Sequence, residues 1–230
     1  MAYQSKHKKS RETQLVIEGV SFEGLSLREF DGIVSERYGL VCGIDEAGRG
    51  PVAGPVAAAA VILDPENPIA GLNDSKKLTP KKRESLYKEI WDKALFCSVS
   101  FVSAEDIDRT DILSADLLAM KRAFDNIGKK CGIVLVDGDV LPDIEVGGAL
   151  KNVIGGDAKS EAIAAASILA KVERDQYMCE MAEKYPGYGF EKHKGYGTKA
   201  HYEAIDRLGL CPIHRKTFLK KYITENGQTD

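Results

Sequence analysis

Residues 40–44 and 133–136 are short apolar runs, and each stops at an acidic residue: Asp45-Glu46 after the first, Asp137 after the second. Runs this short do not make a core helix; they suit strands covered on both faces. A third run, 56–63, follows the Gly/Pro-rich stretch 48–55, so the first and third predict a strand pair joined by a glycine-rich connection. Residues 95–102 alternate as a further strand. Helical spacing is read over 25–38, 111–127, the alanine-rich 158–184, 198–208 and 216–223. Thr79 as cap and Pro80 at the first helical position open another helix, to about 94. Strands dominate the first half and helices the second. The expectation is an α/β fold, a mixed β-sheet flanked by helices with a helical C-terminal part.

At 43% hydrophobic residues and a net charge of only −3, a chain of 230 residues has the means to form a core and lacks the signature of disorder. The expected organisation is a flexible basic tail over 1–14 and an extension with a short helix over 15–39. A catalytic core over 40–183 and a basic helical part over 184–230 follow. No apolar run reaches the roughly 18–20 residues of a membrane helix, and no apolar stretch of signal-peptide type follows the basic N-terminus. Cys42, Cys97, Cys131, Cys179 and Cys211 are odd in number and scattered, without a CxxC pair. That disfavours a zinc knuckle or a disulfide framework and fits a reducing, cytoplasmic setting. A monomer is expected, without a membrane partner.

Asp45, Glu46 and Asp137 stand at strand ends, where sheet folds hold side chains rigidly yet accessibly. Asp157 follows Gly155-Gly156 just ahead of the long helix. If the two strands are neighbours, Asp45 and Asp137 converge, and like charges so close call for a cation. An all-oxygen set suits Mg²⁺ or Mn²⁺ and not zinc. Plainer readings stand beside this: Asp157 as a helix cap, Asp137 as a turn residue before Gly138, Asp45-Glu46 as a surface turn. Gly48-Arg49-Gly50 lacks the GK[ST] of a phosphate loop. Asp137-Gly138-Asp139 is a DxD of the kind metal-dependent glycosyltransferases use, a weak signal. No G-x-S-x-G elbow supports a nucleophilic triad, and His7, His193, His201 and His214 all lie away from the strand ends.

Several strings resemble one family in order. Gly43-Ile44-Asp45-Glu46-Ala47-Gly48-Arg49-Gly50-Pro51 is similar to the opening motif of ribonuclease HII, the type 2 ribonuclease H. Asp74-Ser75-Lys76-Lys77-Leu78, Val136-Asp137-Gly138 and Gly156-Asp157-Ala158-Lys159 resemble its next blocks, the last continuing into 163–172 and Arg174-Asp175. His193-Lys194-Gly195-Tyr196-Gly197-Thr198, His201 and His214-Arg215 resemble its C-terminal blocks. The likeness spans residues from about 40 to 218. It implies a ribonuclease H-like fold with Asp45, Glu46, Asp137 and Asp157 as the acidic catalytic and metal-binding set. It implies that Gly48, Arg49 and Gly50 grip the ribonucleotide and that Tyr196 packs on the sugar at the RNA–DNA junction. Asp111 stands where the family leads one to expect Asn. About 39 residues precede Leu40, too few for the N-terminal domain of type 3 enzymes.

The substrate so implied is an RNA–DNA hybrid or a duplex DNA carrying ribonucleotides. Two divalent cations roughly 4 Å apart, Mg²⁺ or Mn²⁺, would activate water and stabilise the leaving 3′-oxygen. Two basic clusters suit a duplex backbone: one around Lys76, Lys77, Lys81, Lys82 and Arg83, the other between Lys184 and Lys221. Lys76 or Lys77 is expected on a neighbouring phosphate, with solvated surface lysine as the alternative. No sliding-clamp motif of the Q-x-x-[LIM]-x-x-aromatic-aromatic kind is visible near the C-terminus.

Overall fold

Strand β1 (Val41–Ala47) runs antiparallel to β2 (Val56–Ile62) and parallel to β4 (Ile133–Asp137). Strand β3 (Phe96–Val102) lies outside β2, and β5 (Ala149–Val153) lies parallel outside β4, giving the order β3-β2-β1-β4-β5. The structure, a computed structural model, describes residues 13–128 and 131–225. Most of the tail expected over 1–14, His7 included, therefore lies outside the described residues, as do 226–230.

Side chains alternate across a strand, and the alternation decides which helices cover which face. Cys42, Ile44, Val134 and Val136 pack against α4 (Ile112–Ile127). Val41, Ile133 and Leu135 pack on the other face against α1 (Leu27–Tyr38) and the first residues of α5 (Glu161–Lys184). Ala59 and Val61 of β2 meet α5 and α2 (Pro80–Lys93) on that same face. From Ala162 to Ala170 every α5 residue is buried, so this half lies inside the molecule and shows no polar stripe.

Helix starts follow capping chemistry. Ser26 and Glu29 close a capping box on α1, Thr79 caps α2, Ser103 caps α3 (Ala104–Arg109), and Asp111 caps α4. Two expectations need correction. β1 does not stop before Asp45 but runs through Asp45 and Glu46, paired with Ala59 and Ala58 of β2. Asp157 does not cap the long helix. It sits in a 3₁₀ turn, Gly156–Ala158, and Ser160 caps α5 by accepting from the Ile163 N–H. Strand β5 and helix α3 were not anticipated: Ala149-Leu150-Lys151-Asn152-Val153 has too few apolar residues to stand out.

Residues 13–15 lie along the outer edge of β5. The Asn152 N–H donates to the Thr13 carbonyl at 3.1 Å, and the Leu15 N–H donates to the Asn152 carbonyl at 3.0 Å, covering an edge that would otherwise be bare. The C-terminal helices α6 (Phe190–His193), α7 (Lys199–Leu208) and α8 (Lys216–Glu225) share a cluster with Met178 of α5 and with Val52 and Ala53 of the β1–β2 connection. No described helix is long and apolar enough to cross a membrane.

Candidate active site

The parallel register of β1 and β4, Ile44 beside Val136, sets Asp45 and Asp137 side by side one residue further on. The turn at 156–158 closes over the same strand ends. The Gly156 N–H donates to Asp137 Oδ1 at 2.6 Å, and a Cβ on Gly156 would crowd the Ile163 side chain at 2.5 Å. Carboxylate oxygens of Asp45, Asp137 and Asp157 thus all lie within 4.8 Å of one another. Asp45 and Asp157 are buried.

Burial first, then the charges of Glu46 and Asp137, push the Asp45 carboxyl well above the ordinary carboxylate range. Burial and Asp157 also raise Asp137, against the pull of the Gly156 amide. Like charges held this close in a buried setting suit a cation among them, and an oxygen-only donor set fits a hard divalent ion. Lys76 Nζ reaches Asp157 Oδ2 at 3.2 Å. Burial pulls this ammonium down, and Asp157, Asp45 and Asp74 together outweigh it, so the net shift is upward.

Glu46 is not part of the three-carboxylate cluster. One residue along β1 from Asp45, its carboxylate stays beside the cluster, hydrogen-bonded with Asp45 and raised by burial and by the charge of Asp137, and it also faces Arg49 on the α4 side. There Arg49 bridges two acids: its Nη1 lies 3.8 Å from Glu46 Oε1, and its Nε lies 3.4 Å from Asp116 Oδ2. Asp116, on α4, is 1% exposed, and its Oδ1 has no hydrogen-bond partner among the described residues. Burial raises its carboxyl strongly, Glu46 adds to this, and Arg49 opposes it.

The connection 48–55 is held from beneath by two buried arginines. Arg215 donates to the carbonyls of Gly48 at 2.6 Å, Arg49 at 3.0 Å and Gly54 at 2.9 Å. Arg174 donates to Pro55 at 2.9 Å, Ala53 at 3.1 Å and Lys194 at 3.0 Å. Burial lowers both guanidinium pKa values, that of Arg215 to about 9. Gly48 has φ +99, and any side chain there would strike Arg174, so the position requires glycine twice over. With the Gly48 and Arg49 carbonyls drawn inward, the N–H groups of Gly48, Arg49 and Gly50 find no acceptor among the described residues. The ring of half-exposed Tyr196 lies 3.7 Å from where a Cβ on Gly50 would stand.

The sequence profile of the Ribonuclease HII family matches residues 42–221. The chain belongs to the ribonuclease HII family. It is similar to the Ribonuclease HII of Idiomarina loihiensis, 55% identical over 179 residues that make up 78% of this chain and 95% of that one. It is likewise 52% identical to the Ribonuclease HII of Caldicellulosiruptor bescii, across 84% of this chain and 92% of the relative. Among solved structures it is similar to the ribonuclease H2 of Pyrococcus horikoshii OT3, with a TM-score of 0.70, 29% identity, 83% of this chain covered and 100% of that one. The ribonuclease H-like mixed sheet expected from the sequence is the fold observed. As a member of ribonuclease HII the chain is an endoribonuclease that cleaves the RNA of RNA–DNA hybrids. The family uses divalent metal, and the acidic cluster suits it.

Of the residues singled out in this family member's sequence, Asp45, Asp137, Asp157 and Lys76 meet at one point. Gly48, Arg49, Gly50 and Tyr196 line the adjacent loop. Lys77 turns instead to Asp74, 4.0 Å away. Arg83, counted with the basic cluster, donates to the carbonyls of Ser75 and Leu78 and closes the turn that carries Lys76. Asp116, Arg174 and Arg215 escaped sequence reasoning as site residues. Asp116 is one polar residue in an otherwise apolar stretch of α4, and that was its only signal.

Proposed function

We propose that this ribonuclease H also incises duplex DNA on the 5′ side of a single embedded ribonucleotide, leaving 3′-hydroxyl and 5′-phosphate ends. Asp45, Asp137 and Asp157 would hold divalent cations, with Glu46 beside them. When bound, two ions of Mg²⁺ or Mn²⁺ would supply a water of lowered pKa and charge stabilisation for the leaving oxygen. Lys76 neutralises part of the acidic cluster through Asp157 and would also suit a neighbouring phosphate. Water oxygen bonds to phosphorus while the bond to the 3′-oxygen breaks, so no cyclic phosphate forms.

Selection of RNA falls to the glycine loop. The 2′-hydroxyl distinguishes ribose from deoxyribose, and the free N–H groups at Gly48 and Gly50 suit that oxygen. Arg49 suits a phosphate, because its guanidinium offers a bidentate fork. Tyr196 would pack on the sugar that follows the ribonucleotide, where an extra hydroxyl impedes the ring. The observation that carries this reading is the adjacency of three parts: the acidic cluster, the unpaired N–H groups of 48–50 and the Tyr196 ring beside Gly50.

The test is gel analysis of end-labelled duplex DNA carrying one ribonucleotide, with and without Mg²⁺ or Mn²⁺. Metal-dependent 5′ incision with 3′-hydroxyl ends is expected. Cyclic phosphate ends, incision on the 3′ side, or efficient cutting of free single-stranded RNA would each defeat the reading.

A further inference from the structure

Three of the four histidines stack together in the C-terminal part, and the reaction described above uses none of them. The rings of His193 and His201 lie 4.3 Å apart and those of His201 and His214 5.2 Å apart, against Tyr188 and Phe190. His201 and His214 are buried.

Their hydrogen bonds point to one set of tautomers. His201 Nδ1 lies 2.8 Å from the Tyr196 carbonyl oxygen, which can only accept, so this nitrogen is protonated. In a neutral ring, His201 Nε2 is then an acceptor. It faces His214 Nε2 at 3.1 Å, which must be the donor. That leaves His214 Nδ1 as an acceptor: the Cys211 N–H donates to it at 2.8 Å, a shorter contact than the 3.2 Å to the Cys211 carbonyl that the other tautomer would use. The chain runs one way: Cys211 amide to His214, His214 to His201, His201 to the Tyr196 carbonyl. His193 follows the same logic, accepting from the Gly195 N–H at Nδ1 (3.2 Å) and donating from Nε2 to the Tyr188 carbonyl (2.9 Å). Burial lowers the pKa of both His201 and His214 to about 4, in keeping with neutral rings.

The segment so held has reason to need holding. Lys194 has φ 51, the only positive value at a non-glycine among the described residues. The Gly195 carbonyl accepts from Val52 at 2.9 Å and Ala53 at 3.2 Å, tying this segment to the glycine loop. We propose that His214 and His201 are positioning residues for Tyr196, their one-way chain of hydrogen bonds fixing its carbonyl so that the ring stands beside Gly50. This rests on the reading of Tyr196 as the residue that senses the sugar.

Two measurements on the full chain test it. Histidine ¹⁵N spectra near neutral pH should show His214 protonated at Nε2 and His201 at Nδ1; both rings protonated at Nδ1, or either ring charged, would overturn the relay. The second is the ratio of kcat/KM on single-ribonucleotide duplex to that on a uniform RNA–DNA hybrid. His201→Ala should lower this ratio about tenfold, the scale of one hydrogen bond lost. His201→Asn, whose amide nitrogen replaces Nδ1 as a donor, should restore most of it. A fall that is equal on both substrates would mean a merely structural role and would overturn the proposal. Tyr196→Ala separates the two layers: an unchanged ratio would sink the sugar-sensing reading, while the spectra still judge the relay. If His201→Ala does not fold, the wild-type spectra and the Asn variant still decide.

Discussion

Replacing Gly43 with alanine tests how the site is assembled. A methyl group there would stand 2.2 Å from the Ala162 carbonyl carbon and 2.3 Å from the Ile163 nitrogen, both backbone atoms of α5. Ordinary contact begins near 3.4 Å, so strand and helix must part by roughly 1.2 Å, the difference between 3.4 Å and 2.2 Å. Neither side can yield by turning a side chain. Overpacking of this kind typically costs about 1–3 kcal/mol, and at about 2–4 °C per kcal/mol for a chain of this size the melting temperature falls by roughly 2–12 °C. Gly43 and Asp45 point to the same face of β1, and the first turn of α5 follows the turn that bears Asp157. The same displacement therefore opens the three-carboxylate cluster, and a misplacement of about 1 Å can cost on the order of 100-fold in rate. Thermal melting by circular dichroism and hybrid cleavage at saturating Mg²⁺ measure both effects. A Gly43→Ala protein with the melting temperature and cleavage rate of the parent would refute the argument that this close approach sets the site.

Asp45→Asn and Asp137→Asn should each remove nearly all hybrid cleavage while leaving the fold intact; retention of more than about a tenth of the rate lies outside what lost metal catalysis allows. Acid should weaken the fold through His201 and His214. Their folded pKa values of about 4 lie below the 6.5 of a free imidazole, so the stability they support is full above 6.5 and is lost as pH falls toward 4. The slope is roughly 1.4 kcal/mol per pH unit for each ring. Denaturant melts across this window should be flatter for His214→Gln than for the parent, and identical pH profiles would count against neutral buried rings. Deleting residues 1–12 should change cleavage little, because their composition is polar and unpatterned. A large loss of rate from a folded truncated protein would show that they contribute to substrate binding.

Much of the site was legible in the sequence because local chemistry governs it. A carboxylate at the end of a short apolar run is held at a strand end whatever the fold, which is how Asp45 and Asp137 stood out. The cap at Thr79 was readable for the same reason: the residue and the amide it satisfies lie three positions apart. The order of the family's motifs then pointed to fold and reaction together. Tertiary structure alone decided what depends on partners far along the chain. Asp157 and Ser160 both precede a helix and both suit a cap, and only the packing of 156–158 on Asp137 assigned the cap to Ser160. Glu46 follows Asp45 directly, and only the fold shows that Arg49 ties it to Asp116 while it stays within reach of Asp45 and Asp137. Arg215 looked like a member of a basic surface, yet it and Arg174 are buried, bonded to carbonyls more than 100 residues away. A sequence states which groups are available, and the sheet and its covering helices determine which of them meet.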